Sequence, residues 1–227
     1  MLLAVDTSTA QTGLALYDGA QLRAEILWHS RAHHTQELAP AFAGLLERAG
    51  AKPPDLTALA VAIGPGSFSS LRVGLAFVKG LALARHLPLV GIPTLDVTAA
   101  AITPEKTPLV AVLQAGRGRI AAAWYKATRD GPSAAGSWGL KESARVTTVE
   151  ALGESIQSRA IVCGELSAAE RALLRSNGFV RLASPAACVR RPGLLAELAW
   201  ARWQAGEVDS LASLAPIYLH IAEPIGA

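Results

Sequence analysis

Residues 58–92 read ALAVAIGPGSFSSLRVGLAFVKGLALARHLPLVGI, and this stretch decides the fold. Its first six residues, 58–63, form a short and entirely apolar run, which is typical of a strand buried on both faces. A glycine-rich segment follows at residues 64–67, and apolar residues then continue over residues 69–86, which is the length of a helix rather than a strand. A second apolar strand is predicted at residues 89–92. This order of strand, helix and strand predicts a crossover unit within a sheet.

The residues before this unit predict a β-meander followed by a helix. Three short apolar segments open the chain, and the Asp18-Gly19 turn signal separates the second from the third. A segment with apolar residues at helical spacing comes next, and Gly50 ends it. We predict strands at residues 2–6, 13–17 and 21–28 and helices at residues 35–49 and 95–101. The first half therefore contains three strands, helix, strand, helix, strand and helix.

The prolines at positions 104 and 108 mark a boundary, after which the same order of elements repeats. We predict strands at residues 109–114, 119–126, 138–145, 160–163 and 179–183, helices at 148–156, 167–176 and 192–205, a loop at 130–137 and a further edge at 217–219. Two copies of one α/β pattern predict tandem ribonuclease-H-like subdomains, the architecture of the actin, sugar-kinase and Hsp70 superfamily. The predicted domains are residues 1–103 and 104–227.

The composition excludes several classes of protein. With 51% hydrophobic and 17% charged residues, the 227-residue chain has the material for a core and is not intrinsically disordered. The net charge of +3 comes without the Lys/Arg run that a nucleic-acid-binding tail carries. The longest apolar stretches are far shorter than the roughly 20 residues that span a bilayer, and no leader pattern opens the chain. We therefore expect a cytoplasmic protein without membrane contact.

The residues that could bind a metal or act as nucleophiles are scattered. Cys163 and Cys188 fit neither a zinc spacing nor a disulfide framework, and we expect them to be reduced structural cysteines. His33 and His34 are adjacent rather than four residues apart, so they do not form a zinc-binding pair on a helix. No serine has both an elbow motif and the partners of a hydrolase. We therefore predict no metal site and no catalytic residue.

The glycine-rich loop joins a strand to a helix. Glycines such as Gly64 and Gly66 permit close backbone approach, and the N–H groups at a helix start can bind an anion near Ser67. The sequence lacks the lysine of a Walker A loop and the third glycine of a Rossmann loop. Both a structural turn and a phosphate loop therefore remain open for this segment.

The end of the first strand gives a second candidate loop. Asp6, Thr7 and Ser8 lie where the actin-like ATPases hold metal and phosphate in an acidic turn. A metal held by carboxylates usually needs more than one, and the matching position in the second half is the uncharged Gln114. Asp6 is therefore more consistent with a turn or cap residue, and a phosphate-binding role is the alternative.

The helix at residues 69–86 is apolar almost all the way round, because only Arg72 and Lys79 interrupt its middle. A helix on a sheet normally has a polar outer side. Small residues that allow close helix approach occur on this helix and on the helix at 35–49: Gly74, Ala76, Gly80, Ala39, Ala41 and Ala43. Either a second chain or another part of this chain would have to cover such a surface.

Seven short motifs carry a family resemblance: LLAVDTST at 2–9, His33, IGPGSF at 63–68, LRVG at 71–74, KG at 79–80, PTL at 93–95 and PIYL at 216–219. Together they resemble the TsaB (YeaZ) family. That family is the dimerisation subunit of the bacterial tRNA N6-threonylcarbamoyladenosine synthase complex and is related to TsaD. The resemblance is dense over the first hundred residues and thin over the rest.

The resemblance implies two actin-like subdomains and a noncatalytic scaffold. Such a subunit would bind a TsaD-like catalytic subunit, help to recruit a TsaE-like ATPase and form a homodimer when alone. It would support threonylcarbamoyl transfer to N6 of the adenosine next to the tRNA anticodon and meet tRNA through the complex. No tightly bound cofactor is implied, and ATP would act at the level of the complex. TsaD carries two metal-binding histidines where this chain has Thr94 and Thr98, and threonine cannot replace imidazole as a ligand.

In this family two N-terminal helices form the subunit contact, which maps onto the two apolar helices. The predicted contact residues are His34, Leu38, Ala41, Phe42, Leu45, Leu71, Arg72, Leu75, Val78, Lys79 and Ala82. The sequence departs from the family at residues 114–117, where QAGR replaces an acidic segment. The alternative function is an independent nucleotide-dependent kinase or ATPase of the actin-like superfamily, which would use Asp6 and the glycine-rich loop on phosphates.

Overall fold

The computed structural model describes residues 1–30, 33–128 and 137–219. The chain divides into two compact units. The first comprises Met1–Val97 and Arg190–Ile217, and the second comprises Thr98–Val189 with Tyr218 and Leu219. Each unit contains a five-stranded mixed sheet, so the prediction of two tandem ribonuclease-H-like subdomains is confirmed.

The first sheet has the order β3-β2-β1-β4-β5. Its strands are β1 (Leu2–Asp6), β2 (Gln11–Tyr17), β3 (Leu22–His29), β4 (Ala58–Ala62) and β5 (Leu89–Ile92). Strand β1 pairs antiparallel with β2 and parallel with β4, and every residue of β1 and β4 is buried. Strand β4 contains no polar residue and is buried on both faces, as its composition predicts.

Helices pack on both faces of this sheet. They are α1 (His34–Arg48) and α2 (Phe68–Arg85), α3 (Thr94–Ala100) after β5, and α6 (Pro192–Gln204) from the end of the chain. Leu3 and Val5 point to the core beneath α1 and α2, whereas Leu2 and Ala4 pack against α6. The alternation of side chains along β1 thus serves two separate cores.

The position of α6 corrects the predicted domain boundary at residue 103. The sequence places this helix in a domain of residues 104–227, yet it belongs to the first unit. The sheet face beneath it is lined by small side chains, including Ala4, Ala15 and Ala60, which leave room for Leu195. Helix α6 belongs to the first unit because it packs closely on the alanine-rich face of the first sheet.

The second sheet has the order β10-β9-β6-β7-β8. Its strands are β6 (Leu109–Gly116), β7 (Arg119–Thr128), β8 (Ser137–Thr147), β9 (Ala160–Gly164) and β10 (Val180–Leu182), with helices α4 (Val149–Ser155) and α5 (Ala168–Arg175). A capping box between Ser167 and Glu170 begins α5, and Val110, Val112 and Leu174 lie in the core of this unit.

Two predictions concern the edges of the elements. Residues 217–219 form no strand, although the Ile217 N–H donates to the Ile63 carbonyl at 2.7 Å. The predicted loop at 130–137 lies outside the described residues except for Ser137, which begins β8.

None of the helices within the described ranges has the length and apolar character that crossing a membrane requires.

Candidate functional site

The first candidate site is the turn after β1, and it is closed by an ion pair. Asp6 is buried, with one carboxylate oxygen accepting a hydrogen bond from the Ser8 N–H at 2.8 Å. Its other oxygen, Oδ2, lies 2.5 Å from Nε of Arg190, a residue 184 positions away whose side chain is 1% exposed. The turn role predicted for Asp6 is therefore present, together with a buried cation that the sequence did not indicate.

Further hydrogen bonds hold Arg190 in place. Its Nη2 donates to Thr9 Oγ1 at 2.9 Å and to the Gln11 carbonyl at 3.2 Å. Its backbone N–H donates to Gln11 Oε1 at 2.8 Å. A guanidinium with this many acceptors is fixed rather than mobile. A metal ion or a phosphate at Asp6 would have to displace it, so these residues do not fit a metal-held nucleotide.

The glycine-rich loop packs onto the same turn. A Cβ at Gly66 would lie 2.3 Å from the Ser8 carbonyl oxygen, and the Ser67 N–H donates to that oxygen at 2.7 Å. The Gly64 N–H donates to Thr94 Oγ1 at 2.9 Å, and Thr94 Oγ1 lies 2.9 Å from Ser8 Oγ. The glycine requirement at position 66 thus follows from contact with the chain itself.

Thr7 and Gly74 fix the approach of α2 to this turn. Thr7 Oγ1 donates to the Ser70 carbonyl at 2.7 Å. A Cβ on Gly74 would lie 2.3 Å from the same Thr7 oxygen. The small residue predicted to serve a partner at position 74 therefore serves packing within the first unit. The six predicted loop residues, Asp6, Thr7, Ser8, Gly64, Gly66 and Ser67, lie together, and the structure adds Arg190 and Thr94 to them.

The second candidate site is the surface of α1 and α2. A cavity of about 340 Å³ lies between the helices, lined by His34, Thr35, Leu38, Ala39, Arg72, Val73, Ala76 and Phe77. Phe77 contacts Phe42 edge to face, with the ring centroids 5.6 Å apart. His34 Nε2 lies 3.2 Å from the Thr9 carbonyl and closes one end. The lining is therefore apolar apart from Arg72 and the polar edge of α1.

The start of α1 is held to β3 by a polar contact. The Trp28 indole N–H donates to the Glu37 carboxylate at 2.9 Å. This hydrogen bond holds the pKa of Glu37 below its usual value because it favours the charged form. The contact fixes the first turn of α1, although the helix has no side-chain cap.

Most of the predicted contact residues belong to the core of the first unit. His34, Leu38, Phe42, Leu45, Leu71, Leu75, Val78 and Ala82 are buried. Six of them are covered by the first unit itself, because large apolar side chains on a helix turn towards the sheet they cover. His34 and Leu38, although buried, also line the cavity between α1 and α2. Three predicted residues, Ala41, Arg72 and Lys79, reach the surface at least in part.

The outward side of the two helices consists of other residues. We define the α1–α2 face as the exposed residues Thr35, Ala39 and Ala43 of α1 and Arg72, Ala76, Gly80 and Leu83 of α2. Within each helix most of these residues recur every four positions, the spacing of one helical stripe. Leu83 is 65% exposed, and Phe68, which lies beneath the Arg72 guanidinium at 3.7 Å, is 53% exposed. In the sequence, the spacing of the small residues indicates this exposed face, whereas the positions of the large apolar residues do not.

Comparison with known proteins identifies the family. The model of the tRNA N6-adenosine threonylcarbamoyltransferase family, TsaD, matches residues 28–179. The chain is 31% identical to the TsaB protein of Escherichia coli (strain K12) over 158 residues, which cover 69% of this chain and 66% of that protein. The chain belongs to the TsaD/TsaB (YeaZ) family. It is also 38% identical, over 107 residues, to a tRNA N6-adenosine threonylcarbamoyltransferase of Nitratidesulfovibrio vulgaris (strain DP4), covering 40% of this chain and 30% of that protein.

The solved structures support the same fold. YeaZ from Pseudomonas aeruginosa superimposes with a TM-score of 0.79 at 23% identity, covering 96% of this chain and 99% of that one. The matches cover only part of the curated relatives. They span about two thirds of the Escherichia coli TsaB and about a third of the transferase.

Positions that separate this chain from TsaD have structural roles here. Thr94 and Thr98, which stand at the expected histidine positions, are both buried, and Thr94 accepts the Gly64 N–H described above. Gln114, in the departing segment, donates from Nε2 to the Glu165 carbonyl at 3.2 Å and to the Glu170 carboxylate at 2.9 Å. Within residues 1–30, 33–128 and 137–219, no three His, Cys, Asp or Glu side chains converge.

Proposed function

We propose that this chain is a noncatalytic TsaB-type subunit in tRNA threonylcarbamoyladenosine biosynthesis and that it binds a TsaD-like subunit through the α1–α2 face. Membership of the TsaD/TsaB (YeaZ) family supports the pathway, since the relatives are a TsaB biosynthesis protein and a threonylcarbamoyltransferase. The complex would transfer a threonylcarbamoyl group to N6 of the adenosine next to the tRNA anticodon. A TsaE-like ATPase would join through this assembly.

The observation that carries the proposal is the small and apolar character of the α1–α2 face. A solvated helix face normally carries polar side chains, yet the stripe on α2 contains Ala76, Gly80 and Leu83, all exposed. Contiguous exposed apolar surface marks a binding surface. Distances between the axes of packed helices are usually about 8–10 Å, and small side chains at the contact allow distances near the lower value.

The cavity between α1 and α2 gives the contact a centre. Its volume of about 340 Å³ is large enough for an apolar side chain from a partner helix. Arg72 lines this cavity, and Lys79 follows two turns later on the same helix. A partner with acidic residues around an apolar anchor would therefore fit it. The same face would serve a homodimer when the TsaD-like subunit is absent.

The Asp6 turn, which Arg190 closes, supports a noncatalytic role for this chain. Arg190 neutralises the carboxylate that a metal would need, and the carbonyl of Ser8 is engaged by Ser67. Where TsaD has two histidines, Thr94 and Thr98 supply no imidazole. ATP would therefore act at the level of the complex rather than in this chain alone.

Reconstitution tests this proposal. Threonylcarbamoyladenosine formation on tRNA should require the chain together with TsaD-like and TsaE-like proteins of the same organism. Ala76→Arg should abolish product formation, because an unpaired charge would be buried in the contact. Ala172→Arg is the matched control, since Ala172 is an exposed alanine in the middle of α5. Product formation without the chain, or full activity of Ala76→Arg, would overturn the proposal.

Calorimetry separates it from the ATPase alternative. The isolated chain should show no binding of ATP with magnesium that depends on Asp6. Tight binding and turnover by the isolated chain, abolished in Asp6→Ala, would establish the alternative instead.

A further inference from the structure

The second unit brings two cysteines together that lie far apart in the sequence. Cys163 is in β9, and Cys188 ends the short 3-10 turn Ala186–Cys188. Strand β9 packs against this turn, so that the Cys163 sulfur lies 3.6 Å from the carbonyl oxygen of Ala187, the residue before Cys188. Both residues are free cysteines. The sequence predicted two separate structural thiols, because nothing in their spacing shows that β9 and this turn are neighbours.

The two sulfurs have different surroundings. Cys163 is fully buried, and its sulfur lies 3.6 Å from the Ala187 carbonyl oxygen and 3.8 Å from the Thr98 carbonyl oxygen. Cys188 is half-buried, so a small solute can reach it. Its sulfur lies 3.8 Å from the Ala183 carbonyl oxygen.

Arg171 of α5 provides a positive charge next to Cys188. Its Nη1 lies 3.9 Å from the Cys188 sulfur. Its Nη2 donates to the Ala183 carbonyl at 2.6 Å, which fixes the guanidinium in that position. Cys163 from β9 and Arg171 from α5 are the titratable groups that act on Cys188 within the described part of the chain. A cation held beside a thiol favours the thiolate form of that thiol.

The charges of the two sulfurs follow from this arrangement. The hydrogen bond from Cys163, with smaller contributions from the Gly164 N–H and Arg171, lowers the pKa of Cys188 to about 6 although burial opposes this. The hydrogen bond to Cys188 and burial raise the pKa of Cys163. At neutral pH the pair therefore combines a half-buried thiolate at Cys188 with a buried, protonated thiol at Cys163.

We propose that Cys188 and Cys163 form an oxidation site for hydroperoxides, with Cys188 as the attacking thiolate and Cys163 as the resolving thiol. The Cys188 sulfur attacks the terminal hydroxyl oxygen of the hydroperoxide, the O–O bond breaks, and Cys188 becomes a sulfenic acid. The electron pair leaves with hydroxide when the oxidant is hydrogen peroxide and with alkoxide when it is an organic hydroperoxide. The Cys163 sulfur then attacks the Cys188 sulfur and loses its proton. The hydroxyl of the sulfenic acid leaves as water, and an intrachain disulfide results.

This disulfide would link β9 to the 3-10 turn within the second unit. The enclosed segment contains α5 and β10. A thiol reductant would reverse the reaction by exchange through a mixed disulfide. Peroxide would therefore oxidise the second unit reversibly. This reaction does not depend on the proposed role of the α1–α2 face.

The first test uses the intact chain and hydrogen peroxide. After brief exposure, the mass of the chain should fall by two hydrogens, both free thiols should disappear, and a Cys163–Cys188 peptide should appear on non-reducing digestion. Dithiothreitol should restore both thiols. In Cys163→Ser the reaction should stop at Cys188, where dimedone traps the sulfenic acid. Survival of two free thiols, or disulfides only between chains, would overturn the proposal.

The second test measures the pH dependence of Cys188 alkylation by iodoacetamide, followed by peptide mass spectrometry. Half-maximal rate is expected near pH 6 rather than near the ordinary thiol value of about 8.5. Cys163→Ala should move this midpoint upwards, whereas the matched variant Cys163→Ser, whose hydroxyl still donates a hydrogen bond, should move it less. Arg171→Gln should also move it upwards. A midpoint at the ordinary value in the unmodified chain would overturn the assignment of Cys188 as the attacking thiolate.

Discussion

The buried ion pair between Asp6 and Arg190 gives the sharpest prediction for the stability of the first unit. Arg190→Met keeps an unbranched side chain but removes the charge. It leaves the Asp6 carboxylate buried, with the Ser8 N–H donating to Oδ1 but without its cation. Breaking a buried pair by removing one partner costs about 3–5 kcal/mol. We expect a loss of that size in the free energy of unfolding.

A double-mutant cycle isolates the ion pair from the other hydrogen bonds of Arg190. Asp6→Asn alone keeps an oxygen that can accept the Ser8 N–H. It places an uncharged amide, instead of a carboxylate oxygen, next to the Arg190 guanidinium. Asp6→Asn combined with Arg190→Met removes both charges and should recover at least about 2 kcal/mol of the summed single losses. The bonds to Thr9 and Gln11 are lost equally on both sides of the cycle.

Urea unfolding followed by circular dichroism supplies the free energies, and hydrogen exchange at β1 and β4 amides reports the first unit by itself. Each variant needs an unchanged urea slope for the comparison to hold. A coupling energy below about 1 kcal/mol would refute the reasoning, because it would mean that Arg190 does not neutralise Asp6.

Two further predictions concern α2 and the cysteine pair. Gly74→Ala should lower the free energy of unfolding by about 1–3 kcal/mol because its Cβ would meet Thr7. Gly80→Ala, with no described atom within 4 Å, should raise it by up to about 1 kcal/mol; urea unfolding checks both, and equal effects would contradict the assignment. Because Cys188 has a lowered pKa in the folded chain, stability from its thiolate is complete above the unfolded pKa of about 8.5. It should be lost as the pH falls through about 6. Cys188→Ser should remove this slope in pH-dependent thermal unfolding.

The elements of the fold could be predicted from the sequence because their signals are local. Apolar runs, the Asp18-Gly19 turn and the stops at Gly50 and Gly206 lie within a few residues of the elements they delimit. The duplication followed from the order of those elements. The return of α6 to the first unit did not, because it depends on how a helix packs on the alanine-rich face of a distant sheet.

The candidate sites depended more on long-range contacts. Nothing near Arg190 indicates that it lies against Asp6, since a buried ion pair leaves no periodic pattern in the sequence. On α2 the apolar residues run round the helix, so periodicity could not separate Leu75 and Val78, which are buried, from Ala76 and Leu83, which are exposed. The sheet beneath the helix makes that distinction.

The most direct test of the α1–α2 face is the mass of the complex in solution. Sedimentation velocity of the purified chain with a TsaD-like protein of the same organism should show a complex at micromolar concentrations. Ala76→Arg should weaken it by about 100-fold or more, the effect of roughly 3 kcal/mol, whereas Ala172→Arg should bind like the unmodified chain. No complex with the unmodified chain, or equal binding by Ala76→Arg, would contradict the proposed role of this face.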